Sequence, residues 1–225
     1  MRASTRGMFP LVVILGLILG LGPQSSALAR KNPRISVADD PSLKEGSPGL
    51  VLVEIGDFQC PYCGRGARDV ITHVHDDFVR TGKVELVFLD FPLPMHPHAF
   101  KAAEAAACAG EQKMFWEMHN QLFGYQQALA PDQLPTYAQD LGLDVPAFQK
   151  CLEKGSHAAG IREDIRTVQN LGITGTPAYL LGRRLPEGDK IEVLDVIKGL
   201  PPYEDVEARI NALLAPQPVP APTKK

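Results

Sequence analysis

The sequence predicts an α/β fold: a central mixed sheet flanked by helices, with an all-helical subdomain inserted into it. Three observations lead there. A strand, a helix and a second strand follow one another between Leu50 and Phe91. From Pro92 to Gly172, helical spacing replaces strand patterning throughout. Two more strands and a closing helix then return between Ala178 and Leu214.

Leu50 to Ile55 (LVLVEI) is a short apolar run of the kind a buried strand shows, interrupted only by Glu54. The next helix opens at Pro61, whose fixed φ and missing N–H suit the first helical position. Ala67, Val70, Ile71, Val74 and Phe78 recur at helical spacing, and Gly82 ends the run. Lys83 to Phe91 is the second strand. A strand–helix–strand unit sets its two strands parallel. The insertion begins with an Ala-rich helix, Ala99 to Ala109. Met114, Phe115, Met118 and Leu122 share a face of the next, and Pro131 to Leu141 is closed by Gly142. Asp144 can cap a short helix carrying Phe148, Cys151 and Leu152. Ser156 opens a longer one with Ile161, Ile165 and Val168 on one face. Ala178 to Leu181 and Ile191 to Ile197 read as strands joined through Pro186 and Gly188. Pro202 begins the last helix, with Val206, Ile210, Leu213 and Leu214.

The ends read differently. Arg2 and Arg6 precede a 14-residue apolar run, Met8 to Leu21, followed by Ala27-Leu28-Ala29. A basic start, a short apolar stretch and a small-x-small site make a secretory signal, residues 1–29, cleaved after Ala29. The run is short of the roughly 18–20 residues that span a bilayer; an uncleaved membrane anchor is the alternative. Residues 30–48, with Pro33, Pro41 and Pro48, read as a flexible lead-in to a folded unit over 49–215, and the insertion covers about 96–172. The proline-rich stretch 216–225 reads as a disordered tail.

Composition narrows the function. Lys and Arg number 23 against 26 Asp and Glu, a formal charge of −3, so no basic face for nucleic acid is expected. Removing Arg2 and Arg6 with the signal makes the chain more acidic still. Apolar residues at 44% and charged residues at 22% are ordinary for a globular domain. No P-loop, GxGxxG or nucleophile elbow occurs in the sequence, so no cofactor is expected.

The strongest chemical signal is Cys60-Pro61-Tyr62-Cys63, placed between a strand and a helix start. A helix N-terminus carries positive partial charge and free amide donors. A thiolate at Cys60 is stabilised there, so Cys60 is expected to be the nucleophile. Cys63, within the first turn, is expected to resolve a mixed disulfide formed at Cys60. A zinc half-site and an inert structural disulfide are the other readings of such a pair. Zinc needs two more ligands, and Cys108 and Cys151 do not form a second CxxC, so no metal is expected. Glu54 lies six residues before Cys60 in an apolar strand. A buried carboxyl needs a partner or a raised pKa, and its expected role is proton exchange with Cys63. On an edge strand it would simply face solvent.

These residues, with Gly175-Thr176-Pro177 before a strand and the helical insertion, resemble the DsbA-like thiol–disulfide oxidoreductases of the thioredoxin superfamily. The resemblance covers Leu50 to Ala215 and implies a thioredoxin fold. It implies that Pro177 is cis and packs beside the CxxC, and that Thr176 pairs with an extended substrate chain by strand-like hydrogen bonds. Pro61 and Tyr62 are expected to share in substrate contact. The expected activity is thiol–disulfide exchange with unfolded or folding exported proteins, chiefly as a monomeric periplasmic oxidase reoxidised by a quinone-linked membrane partner. An isomerase or reductase fed by a reducing membrane partner, and a redox-inactive chaperone, are the alternatives. Tyr62 supplies no cation, unlike the Pro-His dipeptide of the strong oxidases. Isomerase-like relatives carry an N-terminal dimerisation domain, for which Arg30 to Pro48 is too short.

In an oxidising compartment Cys108 and Cys151 are expected to form a structural disulfide. Two buried free thiols or a second redox pair are the alternatives. His96 and His98 read as solvated loop residues or as groove lining. Arg65 reads as solvent-facing or as a neighbour of the thiolate. Phe115 and Trp116 read as core or groove wall.

Overall fold

The computed structural model describes residues 32–216. The expected export signal, 1–29, and residues 217–225 of the expected tail lie outside them. Six strands form one mixed sheet: β1 (Arg34–Ser36), β2 (Ser42–Leu43), β3 (Leu50–Gly56), β4 (Val84–Asp90), β5 (Ala178–Arg184) and β6 (Lys190–Lys198), in the order β1-β6-β5-β3-β4-β2. β3 is central and buried along its whole length, which is why it reads as a nearly unbroken apolar run. It runs parallel to β4 and antiparallel to β5, with Glu54 opposite Phe88 on one side and Tyr179 on the other.

The segment expected to be a flexible lead-in is not free. It supplies β1, which pairs with β6, and β2, which pairs with β4. Both outer strands would otherwise present unpaired N–H and C=O groups, and two short pieces of chain cover them. Ile35 and Val37 are buried in the process.

A helical run crosses from β3 to β4. It comprises α1 (Pro61–Gly66) and α2 (Thr72–Val74), and Ala67–Ile71 and His75–Val79 continue it with wider i→i+5 turns. Gly82, at φ 71°, ends it in the left-handed conformation that glycine tolerates best. The insertion holds α3 (Ala99–Gly110), α4 (Phe115–Gly124), α5 (Leu134–Asp140), α6 (Val145–Lys154) and α7 (Ala158–Asn170), and α8 (Tyr203–Leu214) closes the chain. α5 starts three residues later than Pro131 because Gln133 N donates to Ala130 O and closes a turn first. α7 starts at Ala158, not Ser156, since Gly155 to His157 turn the chain out of α6. Asp144 caps α6 by accepting from Ala147 N at 3.0 Å.

The sheet divides the core by its period of two. Val51, Val53 and Ile55 pack with Val168 of α7 on one face. Leu50 and Leu52 pack on the other with Val70, Val74 and Phe78 of the α1–α2 run and Val206 and Ile210 of α8. Glu54 shares this second face, beneath the helix that carries Cys63. The insertion has its own core, where Cys108 of α3 is bonded to Cys151 of α6 with their Cα atoms 5.9 Å apart.

Candidate active site

β3 ends at Gly56, and the next four residues turn the chain into α1. The buried Asp57 carboxylate holds that turn. It accepts from Gln59 N and Leu93 N, each at 2.8 Å, and pairs with His96 Nδ1 at 2.7 Å. Cys60 N donates to Asp57 O at 3.0 Å. Gln126, just beyond α4, donates from Nε2 to Phe58 O at 2.9 Å and to Cys60 O at 2.7 Å. Cys60 is thereby fixed at the N-cap of α1, with φ −73° and ψ 120° and Pro61 following it.

The two cysteines are free and unlike each other. The hydrogen bond from the Cys63 thiol lowers the Cys60 pKa from 9.0 to about 5, against the opposing effect of burial and with help from the Cys63 and Tyr62 amides. Burial pushes the Cys63 thiol far up, and the bond it gives to Cys60 adds to this. Cys63 has no exposed surface. Cys60 Sγ lies 3.6 Å from Thr176 O, and the Thr176–Pro177 peptide is cis. The β3–α1 junction and the start of β5 thus bring Cys60, Cys63, Thr176 and Pro177 together. Pro61 and Tyr62 are exposed beside them. Arg65 is exposed too, with its guanidinium 4.7 Å from the Tyr62 ring centre, so it packs on Tyr62.

Beneath this layer lies Glu54, with no exposed surface at all. The edge-strand alternative therefore falls away. Neither of its carboxyl oxygens has a hydrogen-bond partner, and its Oε2 is 3.4 Å from His119 Nε2. Across the sheet, Tyr179 is buried and its hydroxyl is unpartnered as well. Burial raises the Tyr179 pKa, with the negative charges of Glu54 and the cysteines adding to it. That hydroxyl sits where a Cβ on Gly66 would be, so glycine at 66 is what lets α1 approach the sheet this closely.

His119, Tyr179, Gln126 and Asp57 lie at the site and were not singled out by sequence reasoning, which read His96, the partner of Asp57, as loop or groove lining. For His119 a signal was available: it lies four residues from Phe115 and four from Phe123, on an otherwise apolar stripe. His96 does more than fill a solvated loop, because it fixes the turn before Cys60. The Asp57 and Gln126 contacts join segments far apart in the chain, and no local pattern marks them. Trp116 packs against the core and lines a cavity of about 720 Å³ together with Asp90 and residues of α3 and α7.

A family model described as Thioredoxin matches residues 48–193. This chain belongs to the thioredoxin family. Among solved structures, this thioredoxin-family chain is similar to α-DsbA1 of Wolbachia pipientis, with a TM-score of 0.68 and 20% identity over 78% of this chain and 90% of that one. It is similar to BdbD of Bacillus subtilis, with a TM-score of 0.68 and 23% identity over 82% and 97%. DsbA2 of Pseudomonas aeruginosa gives 0.62 and 22% over 80% and 94%. The thioredoxin fold with a helical insertion is therefore shared with DsbA proteins. Among curated sequences, a protein named Na(+)/H(+) antiporter NhaA 1 of Salinispora arenicola is 39% identical over 147 residues, 64% of this chain. One named NhaA of Herminiimonas arsenicoxydans is 35% identical over 140 residues. The match spans only 22% and 21% of those two proteins. Among the described residues of this thioredoxin-family chain, no helix is long and apolar enough to cross a membrane.

Proposed function

We propose that this chain is a protein thiol–disulfide oxidoreductase working chiefly as an oxidase of exported proteins. The observation that carries the reading is the asymmetry of the pair: an acidic thiol at a helix N-terminus over a wholly buried partner. A substrate thiolate attacks Cys60 Sγ, and the Cys60–Cys63 bond breaks with its electron pair on Cys63. Glu54 gives Cys63 a proton. A second substrate thiolate then displaces Cys60, which leaves readily as a stabilised thiolate. A low Cys60 pKa favours the dithiol form and so makes the disulfide oxidising.

Thr176 holds the substrate backbone and Pro177 shapes the groove beside Cys60. Three of the four exposed large hydrophobic side chains among the described residues support an unfolded-chain substrate. Tyr62 is in the motif. Met95 follows the Leu93 that binds Asp57, and Tyr125 precedes the Gln126 that binds Cys60. Export and a periplasmic site rest on residues 1–29 and are supported by the bonded Cys108 and Cys151, a pairing that persists in oxidising compartments. The protein works as a monomer, and a quinone-linked membrane protein reoxidises it.

The reduction potential in glutathione buffers tests the direction. A value well above roughly −180 mV supports the oxidase, and one near about −270 mV makes the protein a reductase. A Cys63→Ser variant is expected to trap mixed disulfides with exported proteins. An empty trap would instead favour a redox-inactive chaperone.

A further inference from the structure

His119 is the most deeply buried histidine among the described residues, 1% exposed, and it stands between a fully buried carboxyl and an exposed side chain. Its Nδ1 donates to Asn120 Oδ1 at 3.0 Å, and Asn120 is exposed. The other ring nitrogen, Nε2, faces Glu54 Oε2 at 3.4 Å. With the proton on Nδ1, a neutral imidazole turns a lone pair toward Glu54. A carboxylate facing that lone pair would be an unpaired buried charge, which is strongly disfavoured. One proton between the two removes the conflict. It sits on the carboxyl and is given to Nε2, or it sits on Nε2 and is given to the carboxylate. In either form the pair carries one transferable proton.

The surroundings leave few other routes for it. The rings of Phe58, Phe88, Phe115, Trp116 and Phe123 surround the imidazole at centroid distances of 4.8 to 6.2 Å. From β5 the only titratable group at Glu54 is the Tyr179 hydroxyl, from β4 its neighbour is Phe88, and from α1 the groups above it are the cysteines. Tyr179 keeps its proton because burial raises its pKa.

We propose that His119 is the proton conduit between solvent and Glu54, the positioning residue through which the buried carboxyl is reloaded. This rests on the reading of Glu54 as proton donor to Cys63. When substrate thiolate opens the Cys60–Cys63 bond, the electron pair goes to Cys63 Sγ, which takes the Glu54 proton. In the disulfide form the neutral ring carries its proton on Nε2, with Nδ1 bare and the Asn120 amide turned to face it. Glu54 takes that Nε2 proton while Nδ1 gains one from solvent, which leaves the Nδ1–H tautomer of the protein with free cysteines. The disulfide gains two electrons, the substrate dithiol loses two, and of the two substrate protons one ends on Cys63 and one in solvent. Reoxidation runs the same path outward.

The test separates the two thiols in the full chain. Reduced protein is mixed with glutathione disulfide over about pH 5 to 9, and decay of the mixed disulfide reports attack by Cys63. Alkylation of Cys60 reports the first thiolate. His119→Phe is expected to slow mixed-disulfide decay on the order of tenfold to a hundredfold and to leave Cys60 alkylation within about twofold. Glu54→Gln is expected to slow the same step, and the double variant to be no slower than the slower single. Native decay in His119→Phe with slow decay in Glu54→Gln overturns the conduit and leaves the Glu54 reading standing. Native decay in Glu54→Gln removes both. Equal slowing of both steps by His119→Phe marks a structural role and overturns the conduit. Should His119→Phe fail to fold, ring-nitrogen NMR of the unaltered protein decides. Nε2 protonation that differs between the reduced and oxidised forms supports the conduit, and identical protonation overturns it.

Discussion

Cys60 Sγ meets the backbone oxygen of Thr176 at 3.6 Å across 116 residues of sequence. The Cys60 sulfur and the peptide next to a cis proline are thus one surface, built where β3 ends and β5 begins. Cys63, one helical turn on, is turned inward and has no exposed surface. Only one of the two sulfurs can greet a partner, and that ordering underlies the first prediction.

Thiolate absorbance of the reduced protein is expected to titrate with a midpoint near 5, and to vanish in Cys60→Ser. The same shift acts on stability. The folded pKa lies below the unfolded one, so the gain is fully present above roughly pH 9 and lost as pH falls through about 5. Denaturation of reduced protein and of Cys60→Ser across that window should show the difference between them widening as pH rises.

The acids at the end of β4 work in the opposite sense. Asp40, Asp90 and Asp164 line the cavity beside α7, and Asp90 N donates to Asp164 Oδ2 at 3.2 Å. Burial, with repulsion from Asp164, holds the Asp40 carboxyl up to about 8, and burial holds Asp164 up to about 7. Burial places Asp90 well above the usual carboxylate range. The folded chain keeps protons that the unfolded chain releases near its usual carboxylate value of about 4. Stability is therefore greatest below that pH and falls as pH rises toward 8. Urea midpoints of the oxidised protein, in which Cys60 does not titrate, should trace this fall, and Asp40→Asn should flatten it.

Gly66→Ala is expected to destabilise by about 1–3 kcal/mol, since the new Cβ meets the buried Tyr179 hydroxyl. In a Tyr179→Phe background the same substitution should be milder. Thermal unfolding of the four proteins measures the coupling, and additive losses would show that the hydroxyl is not the obstacle.

Replacing Cys108 and Cys151 by Ala together should lower stability by roughly 2–4 kcal/mol, because the bond closes a loop across a 43-residue separation. Activity at Cys60 should persist in whatever fraction remains folded, as the pair ties α3 to α6 within the insertion core.

Local chemistry was enough to mark the strand–helix–strand unit, the inserted helices and the Cys60–Cys63 pair at a helix start. A buried strand needs apolar residues in succession, a helix start favours proline, and a thiolate needs the amides found there. All three requirements are written within a few neighbouring residues, from Leu50 to Cys63. β1 and β2 were not legible, since pairing of three and two residues is decided by the open edges of β6 and β4 and not by the short segments themselves. The same holds within the site. Glu54 could be suspected from its strand, but its burial depended on β4 and β5 closing on both sides of β3. His119 became its neighbour only when α4 folded back across a sequence separation of 65 residues. Sequence by itself determined the features that depend on near neighbours: the elements, and the placing of a thiol pair at a helix start. Tertiary structure decided the approach of His119 to Glu54, the burial of both and the Cys60 sulfur's contact with Thr176, because those energies come from groups that meet only after the chain has packed.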